Sequence, residues 1–299
     1  MFPRVQRRRK LRTLGAAVAA AALCFLPATT GAASERAGSA RSAEFIDGVM
    51  TWNVRGSWDQ YDKWAGDIHT WSPGIVGLQE FCYNHLDNFR EELAQRGLNY
   101  QIFWGEAEPS SAGTGCSLFG DPMGQLLLVD PALNPRSHVN TKYPARPGGN
   151  QDSEQRAYQA LTITFAGQNI RVFNTHMGLE GDALWHIQKL AEAAGASPKA
   201  ILMGDFNIRS TNTAALANLT SKGFQAWHLT PGGDGDNRHD LYDTAINDPD
   251  DQYIEPNLKL DHIYTKNVTG AMLDPLFPVW NDSSDHRALL LNMCTDCDK

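Results

Sequence analysis

At 299 residues, with 42% hydrophobic side chains and a formal net charge of −8, the chain is long enough for one large core and fits a single domain better than two. Its acidic balance excludes binding a polyanion through net charge alone; such a partner has to be met by local arginines and a divalent cation. That weighs against a passive nucleic-acid-binding module.

Arg4, Arg7, Arg8, Arg9, Lys10 and Arg12 make a basic start, Leu14 to Leu26 is an alanine-rich apolar run, and small residues lead to Gly31-Ala32-Ala33. This pattern predicts a signal peptide over residues 1–33. Its apolar run is too short for a mature transmembrane anchor, and its paired arginines also permit twin-arginine export. Without the leader, 20 basic residues face 34 acidic ones, a net charge of −14. The expectation is a secreted, extracellular protein with no stable membrane insertion. Ser34 to Glu44 reads as a flexible mature terminus, and residues 45–299 as the folded domain.

Ile46–Trp52 predicts a strand closed by Asn53, Asp59–Trp71 a helix, and Ile75–Gln79 a strand closed by Glu80. In Asn84–Arg96, Leu86, Phe89 and Leu93 recur at helical spacing and Gly97 is the stop. Tyr100–Trp104 and Gln125–Val129 read as strands joined by a loop rich in Ser, Gly and Pro, and residues 144–154 as a second such loop. Ala157–Phe165 and Ile170–Thr175 flank a hairpin signal at Ala166-Gly167-Gln168-Asn169, and His176 closes the second strand. A helix over Ala183–Ala194 precedes a buried strand at Ala200–Met203, followed by Asp205 and Asn207, and then a short helix at Thr213–Ser221. Pro231–Pro256 is irregular and acidic. Its Asp234, Asp236, Asn237 and Asp240 lack the terminal Glu of an EF-hand loop. Leu260–Thr265 and Ala288–Met293 finish as strands, the last introduced by Asp285–His286.

A buried strand has no reason to end repeatedly in a carboxylate, an amide or an imidazole unless those ends share one rim. Hard oxygens such as Glu80 and the amide oxygen of Asn53 suit Mg²⁺, which keeps several waters and accepts a sparse protein shell. His176 and His286 are candidate proton handlers and donors to a phosphate. Alternation along a strand turns His262 away from Asp261, which leaves His262 a packing residue. Strands mixed with helices and hairpins predict an α/β fold of two mixed β-sheets packed face to face with helices outside. For Asp285–His286 to share a rim with Asp205, its strand has to run antiparallel to Ala200–Met203.

Once Cys24 leaves with the leader, Cys82, Cys116, Cys294 and Cys297 remain. An even number in an oxidising compartment predicts two disulfides. Of the three pairings, Cys82–Cys116 with Cys294–Cys297 is preferred, because the latter two are close together near the terminus. Cys294-x-x-Cys297 as a zinc or redox site is disfavoured, with no second CxxC and no nearby His.

Thr51-Trp52-Asn53, Leu78-Gln79-Glu80, Arg156 ahead of a strand, Asn174-Thr175-His176, Gly204-Asp205-Phe206-Asn207, Leu260-Asp261-His262-Ile263 and Ser284-Asp285-His286 resemble, in order and spacing, the endonuclease/exonuclease/phosphatase superfamily with its deoxyribonuclease I-like fold. Trp52 to Ser57 is most similar to secreted deoxyribonucleases and the catalytic subunit of cytolethal distending toxin. The resemblance implies a four-layered α/β/β/α sandwich and metal-dependent hydrolysis of a phosphoester. It implies His286 as base for the attacking water, oriented by Asp261, and His176 as donor to the scissile phosphate. Asp205 would orient or activate the water, Asn207 and Arg156 would contact phosphate, and Asp285 would join Glu80 and Asn53 at Mg²⁺, with Ca²⁺ or Mn²⁺ as alternatives. A carboxylate partner for His176 is sought among Glu106, Glu108 and Glu154. The resemblance does not fix the substrate; the motif set, the Trp52–Ser57 similarity and the compact length favour a nuclease acting on DNA, expected as a monomer. The alternatives are a sphingomyelinase-like phospholipid phosphodiesterase, with Phe277–Trp280 as a modest docking segment, or a phosphoinositide-type phosphatase. A third reading is a toxin-like protein that works only with partners.

Overall fold

The computed structural model describes residues 45–56, 60–108, 116, 121–149, 154–226, 260–268, 284, 286 and 288–294. Eleven strands in these residues form two mixed sheets. In the first sheet the order is β11 (Leu289–Cys294), β1 (Phe45–Asn53), β2 (Ile75–Cys82), β4 (Met123–Val129) and β3 (Gln101–Glu108). In the second it is β5 (Arg136–Lys142), β6 (Ala157–Phe165), β7 (Gln168–His176), β8 (Ala200–Asp205), β10 (Asp261–Lys266) and β9 (Gln225–Ala226).

Two directions fix the rim. β1 runs parallel to β2, and β7 parallel to β8, so Asn53, His176 and Asp205 emerge at strand C-termini; Glu80 emerges at a bulge in β2, which continues past the predicted end at Gln79 to Cys82. β11 is antiparallel to β1, and β10 antiparallel to β8, which brings in His286 ahead of β11 and Asp261 at the start of β10. β1 packs across β8 and β2 across β7, so the two sets of strand ends meet.

Helices cover both outer faces. α1 (Tyr61–Trp71) buries Trp64, Ala65 and Ile68, and α2 (Leu86–Gln95) buries Leu86, Phe89 and Leu93. These stripes join the cluster that contains Val49, Leu78 and Leu126 of the first sheet. α1 stops where Ser72 turns left-handed at φ 42° and donates its N–H to Ile68 O, just before Pro73. On the other side, α3 (Glu180–Gly195) and α4 (Thr213–Thr220) bury Ile187, Leu190, Leu216 and Leu219 against Phe173, Leu202 and Tyr264. Asn212 caps α4 by accepting the N–H of Ala215 at 3.2 Å. The result is the four-layered α/β/β/α sandwich.

The β6–β7 hairpin closes on Ala166-Gly167, both at positive φ (47° and 70°), the mirror-type turn whose twist matches the strands. Several expectations needed correction. Arg136–Lys142, for which no element was predicted, is a strand, because an edge position tolerates its polar, half-exposed pattern. α1 starts at Tyr61 rather than Asp59, and β3 extends to Glu108. Cys82 and Cys116 are disulfide-bonded, with Cα atoms 5.6 Å apart. Cys297, the 231–256 segment and Phe277–Trp280 lie outside the described residues, so the second disulfide and the docking segment are not described. Among the described residues no helix is long and apolar enough to cross a membrane.

Candidate active site

The first sheet supplies Asn53 and Glu80. Asn53 pairs in register with Gln79, which leaves Glu80 one step beyond. A bulge between Leu78 and Phe81 breaks the β2–β4 register there, and Glu80 takes a left-handed φ of 54°. Bulges re-aim side chains at the ends of strands, and here the carboxylate is turned onto the rim. Gly56 is required for this: a Cβ at that position would stand 1.9 Å from the Glu80 carbonyl oxygen. Asn53 donates from Nδ2 to Glu80 Oε1 at 2.9 Å and to Asp205 Oδ2 at 3.0 Å. Its Oδ1 accepts the Arg55 N–H at 3.0 Å. The amide thus bridges two carboxylates through its nitrogen, whereas oxygen ligation was expected of it. To serve as an oxygen ligand, the amide has to exchange the positions of its oxygen and nitrogen.

The second sheet supplies three residues side by side. His176 of β7 and Asp261 of β10 are both in register with Asp205 of β8. β7 and β8 approach so closely that a Cβ at Gly204 would lie 2.0 Å from Thr175 O. His286 stands over this row. Its Nδ1 is 2.8 Å from Asp261 Oδ2 and its Nε2 is 3.8 Å from Asp205 Oδ2. The backbone of His286 is tied to the first sheet. Its N–H donates to Ser284 Oγ at 3.0 Å, Ser284 Oγ donates to Asn53 O at 2.6 Å, and Trp52 Nε1 donates to His286 O at 2.9 Å.

His176 is buried among cationic and amide donors. Arg156 Nη1 lies 2.9 Å from both ring nitrogens, and Asn207 Nδ2 lies 3.3 Å from Nε2. Asp205 Oδ2 and Glu80 Oε1 are 3.5 and 3.8 Å from the same nitrogen. Burial, and then the Arg156 charge, hold its pKa well below the usual histidine value. His176 is therefore neutral near pH 7, and Arg156 carries the positive charge on this side. Burial raises the Glu80 pKa against the opposing pull of Asn53, Arg156 and His286. Burial would also raise Asp205, but His286, His176, the Asn53 amide and the Asn207 backbone N–H outweigh it and lower its pKa.

These distances bring together His176, Asp205, His286, Asp261, Asn53, Glu80, Arg156 and Asn207. Asp285 lies outside the described residues. His262 points the other way, with Nε2 2.8 Å from Ile208 O and its ring against Phe206. Among the carboxylates considered for His176, Glu106 pairs with Lys142 at 3.1 Å, and Glu154 holds Arg156 Nη2 at 2.6 Å. The acid near His176 is Asp205 itself, while Glu154 acts one step back by fixing the arginine. Both Nη atoms of Arg156 thus have protein partners.

Beneath the rim lies a polar layer that strand patterns did not predict. Gln79 Nε2 donates to Asn174 Oδ1 at 2.7 Å and to Thr51 Oγ1 at 3.0 Å. Asn174 Nδ2 in turn donates to Leu78 O at 3.2 Å and Leu126 O at 3.1 Å. Gln79 and Asn174 are fully buried and cross-link the two sheets just below Glu80 and His176. Gln79 stands one residue before Glu80 and Asn174 two before His176, where a strand pattern does not tell a buried amide from an exposed one.

The donor set fits a divalent cation. Asp205, Asp261 and His286 each offer a ligand atom within 4.8 Å of the others, and Glu80 adjoins Asp205 across the Asn53 amide. Clustered, desolvated carboxylates repel one another and raise each other's proton affinity, as Asp205 does to Glu80. A hard cation relieves that repulsion and prefers these oxygen donors.

The model of the endonuclease/exonuclease/phosphatase family matches residues 50–286, which contain every described rim residue. The chain belongs to that family. No curated protein matches the sequence. Among solved structures, the fold of this family member is similar to an endonuclease/exonuclease/phosphatase from Beutenbergia cavernae, with 18% identity over 83% of this chain and 71% of that one, at a TM-score of 0.65. It is also similar to D. rerio TDP2 complexed with a single-strand DNA product (17% identity, 82% and 97% covered, TM-score 0.60). A Bacteroides thetaiotaomicron mannosyl-6-phosphatase has the same fold at 17% identity, with 82% and 98% covered and a TM-score of 0.55. The family's chemistry is metal-dependent hydrolysis of phosphoesters, and the rim carries the residues for it.

Proposed function

We propose that this family member is a secreted, monomeric, Mg²⁺-dependent phosphodiesterase that cleaves DNA. One observation carries the reading: a hydrogen-bonded His286–Asp261 pair and a neutral His176 held by Arg156 flank the same carboxylate, Asp205, with Glu80 and Asn53 alongside. His286 Nε2, 3.8 Å from Asp205 Oδ2, faces the space where a water can stand. It takes the water's proton as the oxygen attacks phosphorus, and Asp261 on Nδ1 holds the ring and stabilises its charged form. As the new P–O bond forms, the ester P–O bond breaks, the departing oxygen takes a proton from solvent, and His286 returns to solvent the one it took. Charge gathering on the non-bridging oxygens is met by the Arg156 guanidinium, the His176 N–H and Asn207.

Glu80, Asp205 and Asn53 would hold the cation. When bound, it supplies positive charge for the phosphate oxygens and lowers the pKa of bound water. The DNA reading rests on the Trp52–Ser57 resemblance and on the acidic chain's need for a cation to meet a polyanion. Secretion rests on the leader-like residues 1–33.

Conversion of supercoiled plasmid to nicked circles with Mg²⁺, and its loss with a chelator, is the test. The same panel includes RNA, sphingomyelin and inositol phosphates. Intact plasmid together with hydrolysis of a lipid or inositol phosphate would replace DNA as substrate. No turnover of any of them would remove the phosphodiesterase reading.

A further inference from the structure

His186 lies on α3, 3% exposed, and takes no part in the chemistry of the rim. A buried imidazole needs partners for its ring nitrogens. Its Nδ1 accepts the Gly178 N–H at 3.0 Å, which leaves that nitrogen unprotonated and places the proton of the neutral ring on Nε2. Gly178 stands two residues past His176. Between them, Met177 donates its N–H to Asp205 O at 3.0 Å, and its carbonyl accepts Asn207 Nδ2 at 2.9 Å. The imidazole thus fixes the exit of β7 that presents His176 and on which Asn207 leans.

The flat face of the ring makes a second contact. His186 and Tyr143 are stacked, with centroids 4.2 Å apart and planes 14° from parallel. Tyr143 continues the β5–β6 ladder past Lys142, its N–H donating to Arg156 O at 2.9 Å. Burial raises the Tyr143 pKa and keeps the phenol neutral, and its hydroxyl shares a 2.8 Å hydrogen bond with Thr175 Oγ1, next to His176. Two more side chains on the first turns of α3 hold the same segment. Asp182, fully buried, pairs through Oδ1 with Arg146 Nε at 3.1 Å, and Trp185 Nε1 donates to Pro144 O at 3.0 Å. Residues 182, 185 and 186 share one face of the helix, so α3 grips the chain from Tyr143 to Arg146 with that face. His176, Asn207 and Arg156, the three groups on the phosphate side, therefore depend on two backbone segments that meet at one imidazole.

We infer that His186 is a positioning residue for the phosphodiester chemistry: its Nδ1 acceptor sets the β7 exit, and with it His176 and Asn207, against the strand segment that carries Arg156. The inference rests on the phosphodiesterase reading of the rim and adds to it a residue that does not touch the substrate. Displacing a group at the reaction centre by about 1 Å can cost about 10²-fold in rate. Packing alone would let any ring of this size replace His186, whereas positioning requires the acceptor. His186→Phe keeps the stack on Tyr143 and loses the acceptor; His186→Asn places an oxygen where Nδ1 stood and loses the stack. In His186→Phe, kcat/KM on bis(4-nitrophenyl) phosphate should fall at least about tenfold, and inorganic phosphate, titrated calorimetrically with Mg²⁺ present, should bind at least about fivefold more weakly. His186→Asn should stay within about threefold of wild type in both measurements, although it gives up more apolar contact; a role in stability alone predicts the reverse order. A folded His186→Phe protein within about threefold of wild type in both, or a His186→Asn protein as impaired as His186→Phe, overturns the inference and leaves the rim chemistry standing. Should His186→Phe fail to fold, His186→Asn decides by itself: wild-type-like values support the acceptor role, and a loss of about tenfold overturns it. A wild type that neither hydrolyses a diester nor binds phosphate overturns the rim reading instead.

Discussion

Replacing Asp261 by Asn tests the mechanism with the least change of shape. Asp261 is fully buried, its Oδ2 is 2.8 Å from His286 Nδ1, and its backbone is locked in the β10–β8 ladder opposite Asp205. At an effective dielectric constant near 20, an imidazolium gains about 6 kcal/mol from a carboxylate at 2.8 Å and about 4 kcal/mol from one at 3.8 Å. Desolvation consumes much of both. Asp261→Asn removes the larger attraction and leaves Asp205, and a neutral amide lets the ring choose the wrong tautomer. Positioned bases contribute about 10²–10⁴ in rate, so kcat on plasmid or on bis(4-nitrophenyl) phosphate should fall about a thousandfold with KM little altered. Thermal unfolding should show the variant folded, because the amide fills the same space. A folded Asp261→Asn protein within tenfold of wild-type kcat would refute His286 as the base oriented by Asp261.

Glu80→Gln keeps the bulge and the Asn53 contact while removing charge from the cation side; the Mg²⁺ concentration for half-maximal activity should rise at least about tenfold, and an unchanged titration would place the ion elsewhere. Joint replacement of Cys82 and Cys116 by Ala opens a loop with a sequence separation of 34, for which chain entropy gives a loss of about 4 kcal/mol, readable as a lower denaturant midpoint that reducing agent no longer affects. Asp67 is half-buried in α1, its Oδ2 has no hydrogen-bond partner, and burial pushes its pKa up to about 6 against the pull of Lys63. Because the folded pKa lies above the unfolded one, Asp67 costs nothing at pH 3 and burdens the fold increasingly as pH rises through 6. Asp67→Asn should therefore raise Tm at pH 7.5 by about 2–4 °C, for about 1 kcal/mol after discounting for solvent screening, and leave it unchanged at pH 3; an equal gain at both would assign the effect to packing.

The rim was legible because its residues break a pattern. Asn53, Glu80, His176 and Asp205 each interrupt an apolar run at its C-terminal end, and that contrast is one-dimensional information. The hidden parts obey no such contrast. Gln79 and Asn174 are amides inside strands, indistinguishable in sequence from side chains facing water; only the opposing sheet makes them an internal cross-link. Glu154 sits in a loop rich in polar residues, and nothing along the chain singles it out as the clamp on Arg156. The neutral state of His176 depends on burial first and then on Arg156, twenty positions away in sequence, sharing its pocket. Arg136–Lys142 was invisible as a strand because an edge position asks for few apolar residues.

The division of labour follows from how the two sheets are joined. Asn53 and Glu80, on the cation side, belong to the first sheet; His176 and Asp261, on the phosphate and proton side, belong to the second, as does Asp205, which stands between the two sets. Chemistry at a phosphodiester requires both sets within a few ångströms of one phosphorus, so any sliding of one sheet over the other separates cation from base. An apolar interface tolerates such sliding, since burial depends on area and not on register. Directional bonds do not. Gln79 to Asn174 at 2.7 Å, Asn174 to the Leu78 and Leu126 carbonyls, and Asn53 to Asp205 at 3.0 Å join the two sheets in or just below the rim. Each unmade bond would leave a desolvated polar group costing about 1–3 kcal/mol, so the sheets have one low-energy alignment near the site. His286 completes it from the first sheet's side, its backbone fixed by Trp52 and Ser284 and its ring by Asp261 across the gap. The base is thus a catalytic side chain that spans the interface, and its geometry depends directly on the alignment that the buried amides enforce.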